Sequence, residues 1–177
     1  LMFLYDKFFG EFGNIIGQLL VTRSDFENEE RHTNLHNSFM KLFEYGAIPV
    51  VNENDSVAVE EIVFGDNDSL SAHVAKIVGA DTLIILTDIE GLFSANPRED
   101  ENAVLIHNVD KIDDEILALA GGSGTNRGTG GMITKLHAAQ IATDAGIDTV
   151  VMNGSDPEEL YKLLDGRQTG TLFKAQR

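Results

Sequence analysis

The chain has 177 residues, enough for one domain of ordinary size and too few for two comfortable ones, so a single domain is expected over residues 1–177. Hydrophobic residues make up 42% and charged residues 24%, which excludes a disordered chain, and no apolar run approaches the roughly 20 residues that a bilayer-spanning helix needs. Aspartate and glutamate total 29 against 13 lysine and arginine, a formal charge of -16 that argues against nucleic acid or an acidic membrane surface as partner, and the lack of cysteine excludes disulfides, thiolate metal sites and cysteine nucleophiles. No basic-then-apolar leader opens the chain, and a cytoplasmic protein is expected.

Leu1, Met2, Leu4, Phe8 and Phe9 follow the three-to-four spacing of an amphipathic helix, with neither an initiator methionine nor an N-cap ahead of them. The chain is therefore expected to open inside a helix, as a piece truncated at its N-terminus. An apolar, partly β-branched run over Ile15–Val21, interrupted by Gly17 and Gln18, predicts a strand. Phe39, Leu42 and Phe43 form a helical stripe that stops at Gly46, a left-handed C-cap, and residues 47–51 then read as a short buried strand with Pro49 near its start. Asp66, Asn67 and Asp68 open a helix that turns Leu70, Val74 and Ile77 inward and ends at Gly79. The strongest strand signal covers residues 82–86. A further helix is expected over 134–144 with Leu136 and Ala139 on one face and Gly146 after its end, followed by a strand over 149–152. Asp156, Pro157 and Glu159 form a capping-box signature, with proline at the first helical position of a last helix ending before Gly166. This alternation predicts an α/β fold with a mainly parallel sheet covered on both faces.

In open sheets of this kind ligands bind beyond the carboxyl ends of the strands, and four polar segments hold that position. Asn52-Glu53-Asn54-Asp55 either recognises a polar, ammonium-bearing small molecule or is a plain turn. Gly65-Asp66-Asn67-Asp68 stacks three polar residues where a cap needs one; it either opens the helix as a cap alone or, in the functional alternative, Asn67 contacts substrate while Asp66 or Asp68 positions a cationic catalytic group. The continuation Ser69-Leu70-Ser71 does not fit a calcium loop. Thr87-Asp88-Ile89-Glu90-Gly91-Leu92 closes the strong strand, and Asp88 there binds a ribose hydroxyl or a metal-bound phosphate, or caps a turn. The segment from Gly121 onwards places six glycines in residues 121–131 and runs through Thr129, Gly130, Gly131, Met132, Ile133 and Thr134 to Lys135 at a helix start. It reads as a phosphate cradle or as a flexible linker, and it matches neither the Walker A spacing nor the dinucleotide fingerprint. His32 and His36 stand four apart without a third ligand and read as surface residues, and His73, His107 and His137 stand alone.

These segments, in this order, resemble the glutamate 5-kinase (gamma-glutamyl kinase) branch of the amino acid kinase family. The match is carried by Ile48-Pro49-Val50-Val51-Asn52-Glu53-Asn54-Asp55, Phe64-Gly65-Asp66-Asn67-Asp68-Ser69-Leu70-Ser71-Ala72, Leu86-Thr87-Asp88-Ile89-Glu90-Gly91-Leu92, Asn96-Pro97-Arg98 and Gly128-Thr129-Gly130-Gly131-Met132-Ile133-Thr134-Lys135, and it extends to Gly170-Thr171-Leu172-Phe173. The resemblance implies a three-layer αβα sandwich and transfer of the ATP γ-phosphoryl group to the side-chain carboxylate of L-glutamate, the first step of proline synthesis. By motif, Asp55 and Asn67 bind glutamate with Asp66 close by, and Thr87, Asp88 and the loop from Thr129 to Lys135 hold ATP. Lys135 also stabilises the transferring phosphoryl group, and Asp68 organises the lysines. ATP with Mg2+, a homo-oligomeric state and feedback by proline are implied in the same way. The family starts with a strand and a glycine-rich turn that carries a second catalytic lysine, and no lysine here takes that place by motif. The isolated chain is therefore expected to turn over poorly, and its alternative reading is a non-catalytic nucleotide-binding or regulatory fragment. The RNA-binding-like C-terminal domain that some members carry is not expected here, in keeping with the acidic charge.

Overall fold

The computed structural model describes residues 1–57, 65–120 and 131–176, which fall into two compact units, Leu1–Leu70 and Ser71–Arg177. In the first, α1 (Met2–Gly10) leads through the left-handed Gly13 into β1 (Ile15–Val21). The helix forms on the predicted stripe but buries none of its residues; Phe3 and Phe8 remain exposed, as does Phe12 just beyond its end, and Tyr5 stacks on Phe9. A short helix, α2 (Arg23–Glu27), was not foreseen. It is set by a capping box in which Thr22 N–H and Thr22 Oγ1 donate to Asp25 Oδ2 at 2.7 and 2.9 Å. α3 (Glu29–Glu44) is capped by Asn28, whose Oδ1 accepts from Arg31 N–H at 3.0 Å, carries Glu29 and Glu30 in its first turn, and buries Leu35 and Phe39. It ends at Tyr45 and Gly46, the latter with φ +68, the left-handed turn that glycine adopts without a Cβ penalty.

β2 (Ala47–Glu53) then pairs in parallel with β1, Ile15 opposite Ala47 and Val21 opposite Glu53. Gly17 sets the depth of α3 on this pair. A Cβ there would lie 2.6 Å from Leu42 Cδ2, so glycine is what lets the helix side chain reach the strand. Pro49, opposite Gly17, sits two residues into the strand.

α4 (Asn67–Val78) begins in the first unit and continues into the second, ending at Gly79 with φ +66. The second unit holds a four-stranded sheet in the order β3-β5-β6-β4, built from β3 (Thr82–Thr87), β4 (Asn108–Val109), β5 (Asp148–Asn153) and β6 (Thr171–Phe173). The β3/β5 and β4/β6 pairs are parallel and β5/β6 is antiparallel, so parallel pairing predominates as expected. α5 (Asp114–Ala120) and α6 (Met132–Asp144) precede β5, and α7 (Glu158–Leu164) follows it. Pro157 falls one residue before the expected place: its dihedrals are helical, φ -61 and ψ -20, but it serves as N-cap, and Asp156 Oδ1 accepts from Glu158 N–H at 3.0 Å. The core joins Ile85, Leu136, Val151 and Phe173 with Ala138, Ala139 and Ala142 of α6, whose small side chains let the helix backbone approach the sheet. α6 is buried over more than one face, including Leu136 at 0% exposure, which stabilises the unit by about 1.5–3 kcal/mol for that side chain alone.

Candidate functional site

A strand of six residues, β5, spans about 20 Å, and a helix of 13 residues, α6, spans about the same length. Only Ala145, Gly146 and Ile147 join them, so α6 runs antiparallel to β5 and its first turn comes level with the carboxyl ends of β5 and its parallel neighbour β3. That edge is where helix N-termini and strand ends converge in α/β folds.

Thr87 ends β3. Its carbonyl accepts from Gly154 N–H at 2.9 Å, which ties the ends of β3 and β5 together. Its hydroxyl donates to Asp88 Oδ1 at 3.2 Å, and Arg98 Nη2 lies 3.5 Å from Asp88 Oδ2. Both members of that ion pair are well exposed, so it orients the carboxylate more than it stabilises the fold. Arg98 was not singled out as a site residue in its own right; its approach to Asp88 depends on the path of the chain between them. Within this turn Gly91 and Leu92 are buried while Asp88 and Glu90 face outward.

At the start of α6, Gly131 is the N-cap with extended backbone, φ -82 and ψ -178, and no side-chain cap hydrogen bond forms there among the described residues. Thr134 Oγ1 donates to Gly131 O at 2.7 Å. The first turn carries no acidic residue in a protein that has 29 of them, and in their place it carries Lys135, only 8% exposed. A helix N-terminus has positive potential, and together with a lysine in its first turn it makes a setting suited to an anion such as a phosphate. Met132 and Ile133 complete the same turn and are half-buried, while Thr129 and Gly130 lie outside the described residues.

The other candidates fall in the first unit. Asn52 and Glu53 finish β2, Asn54 N–H donates to Val21 O at 2.7 Å, and Asp55 follows in an exposed turn. At the start of α4 the three polar residues separate by role. Asp66 is the cap: Oδ1 accepts from Ser69 N–H at 2.6 Å and Oδ2 from Ser69 Oγ at 2.9 Å. Asn67 is exposed and Asp68 half-buried, neither being needed for the cap. Asp55, Asp66, Asn67 and Asp68 thus belong to the first unit, and Thr87, Asp88 and residues 131–135 to the second. No group of three or more metal-ligating side chains is found among the described residues, nor a helix long and apolar enough to cross a membrane.

The sequence profile of the amino acid kinase family matches residues 1–153. Glutamate 5-kinase of Clostridium acetobutylicum is 50% identical over 173 residues, 98% of this chain and 65% of that protein. Glutamate 5-kinase of Clostridium perfringens is 49% identical over 181 residues, 100% of this chain and 67% of that protein. The chain spans about two thirds of the length of these curated relatives. Among solved structures, carbamate kinase from Giardia lamblia bound to AMP-PNP is similar with a TM-score of 0.64 at 16% identity, over 97% of this chain and 69% of that one, a likeness of fold.

Proposed function

Because the chain belongs to the amino acid kinase family, we propose that it serves an enzyme that transfers the γ-phosphoryl group of ATP to the side-chain carboxylate of L-glutamate, giving L-glutamyl 5-phosphate for proline synthesis. The observation that carries this reading is Lys135, a buried cation at the positive end of a helix with no acid in its first turn. Glutamate, among the carboxylate and phosphate acceptors that such a fold can serve, is supported by about half identity to glutamate 5-kinases over nearly the whole chain.

The chemistry follows from the charges. A glutamate side chain, with a pKa of about 4.3, is already ionised at neutral pH, so its oxygen attacks the γ-phosphorus without a general base. The bond from that phosphorus to the β–γ bridging oxygen breaks, and ADP leaves with the electron pair. Catalysis then rests on positioning two anions and neutralising the charge spread over the transferring group. Lys135 and the N–H groups of residues 131–133, at the very start of α6, meet the phosphates; Thr87, Asp88 and Thr134 hold the nucleotide, with residues 129 and 130 as the preceding part of the cradle. Asp55 and Asn67 take the ammonium and α-carboxylate ends of glutamate, Asp66 fixes the helix start beside Asn67, and Asp68 orients lysine. Mg2+ fits such a donor set as a companion of ATP, because it keeps several waters and is held by phosphates with one or two carboxylates; it supplies charge neutralisation at the phosphate oxygens. A single amino acid kinase domain, a cytoplasmic setting, a homo-oligomer and feedback by proline belong to the same reading.

Asp55→Ala and Asn67→Ala are each expected to raise the glutamate KM by about 10-fold to 100-fold, the worth of a charge-assisted hydrogen bond, with the ATP affinity unchanged. Calorimetric titration of each variant with ATP and with glutamate checks this; weakened ATP binding with glutamate spared would reverse the two assignments. The function itself is tested by ADP release from the native protein. Release that depends on L-glutamate and is not supported by L-aspartate is expected, and equal release with both would remove the glutamate assignment.

A further inference from the structure

Gly170 and Thr171 end the run of segments that resemble the family, yet no step above uses them. Thr171 opens β6, is 0% exposed, and its hydroxyl joins three stretches of chain distant in sequence. Thr171 Oγ1 accepts from Leu92 N–H at 2.8 Å and donates to Ile106 O at 2.6 Å. Leu92 and Ile106 are themselves the base of an arm: Ile106 N–H donates to Leu92 O at 2.8 Å, Phe93 bridges Leu105, and Ser94 N–H donates to Val104 O at 2.9 Å. One hydroxyl therefore closes the base of the arm that carries Arg98, the residue that returns to Asp88. The same hydroxyl limits Gly91, the residue before Leu92. A Cβ on Gly91, whose φ is +154, would lie 2.5 Å from Thr171 Oγ1 and 3.0 Å from Thr171 N, so this approach requires glycine.

The turn 88–91 is thus fixed at both ends, by the bond from Gly154 N–H to Thr87 O on one side and by Thr171 on the other. We propose that Thr171 is a positioning residue for the nucleotide: its hydroxyl sets the turn that presents Asp88 and the arm that brings Arg98 to it. The inference rests on the reading of Thr87 and Asp88 as nucleotide-binding. Nothing in it requires Thr171 to touch ATP.

Thr171→Val keeps the shape of the side chain and removes the two bonds. In the native protein it should raise the ATP KM by about 10-fold, leave the glutamate KM and kcat within about 2-fold, and be rescued by Thr171→Ser, which restores the hydroxyl. Gly91→Ala, which leaves Thr171 in place and crowds it, should show the same ATP-selective change. Thr149→Val is the control. Thr149, on the neighbouring strand, is equally buried, but its hydroxyl has no partner among the described residues, so its removal should leave both KM values unchanged. Native-state hydrogen exchange gives a readout without catalysis: in Thr171→Val the Leu92 amide should lose protection while those of Ile85 and Val151 keep theirs. Loss of protection across the whole sheet, or an equal rise in both KM values, would overturn the proposal by assigning Thr171 to the fold alone. Asp88→Ala separates the two levels. If it leaves ATP binding intact, the nucleotide reading falls; if it weakens ATP binding and Thr171→Val does not, only the positioning role falls.

Discussion

Lys135→Ala should lower turnover by about 100-fold to 1000-fold while changing the glutamate KM little. The size of the effect follows from where the ammonium sits. It is 8% exposed in the first turn of α6, so water can replace little of the charge that it would place on the phosphoryl group, and the field it exerts is correspondingly strong. In the proposed reaction the negative charge that it would meet grows on the transferring group and the bridging oxygen as the bond to ADP breaks, which puts the loss in kcat. On the proposed assignment glutamate is held by Asp55 and Asn67, which lie in the first unit, and so should be spared. Lys135→Arg should recover only part of the rate, because a planar guanidinium does not occupy the same buried position as a compact ammonium. Steady-state kinetics of the three proteins decide the matter, and an unchanged kcat in Lys135→Ala would make Lys135 an ordinary helix residue.

Phe173→Ala should destabilise the second unit by about 3–5 kcal/mol. Phe173 is completely buried in the cluster formed with Ile85, Leu136 and Val151, and β6 lies between β5 and β4, so the cavity would open inside the sheet and not at its rim. Collapse around it is restricted because the strand is tied on both sides: Thr149 pairs with Phe173 across β5/β6, and Val109 with Phe173 across β4/β6. Urea unfolding followed by circular dichroism should show a lower midpoint with an unchanged slope. A shift worth less than about 1 kcal/mol would mean that the site relaxes, contrary to this packing.

Residues with strong local signals were legible in the sequence. β1, β3 and β5 stand out by their apolar, β-branched runs, and the helix ends at Gly46, Gly79 and Gly146 by the left-handed turn that each adopts. Lys135 at a helix start could also be placed, since the glycine run and the helix adjoin in sequence, but its burial shows only in the structure. β4 and β6 could not. With two and three residues they have no measurable periodicity, and they exist because β6 is held between partners far away in the chain. The Thr171 junction escaped for the same reason: the Leu92 and Ile106 contacts bridge 79 and 65 residues, and a threonine before an apolar pair gives no sign of either. Asp66 shows the limit from the other side. Three polar residues in a row exceeded the needs of a cap, but only the geometry identifies Asp66 as the one that takes it. α2 was missed because its five residues are fixed by the Thr22 and Asp25 capping box, with no apolar stripe to mark it.

Phosphoryl transfer to the glutamate side chain is tested most directly by trapping its product. An acyl phosphate reacts with hydroxylamine to give a hydroxamate, whereas ADP formed by simple ATP hydrolysis leaves no such adduct. Native protein incubated with ATP, Mg2+, L-glutamate and hydroxylamine should yield glutamate γ-hydroxamate by mass spectrometry, in step with ADP, with L-aspartate giving almost none and Lys135→Ala reducing both products together. ADP release without hydroxamate, or hydroxamate formed as fast from L-aspartate as from L-glutamate, would contradict transfer to the glutamate side chain.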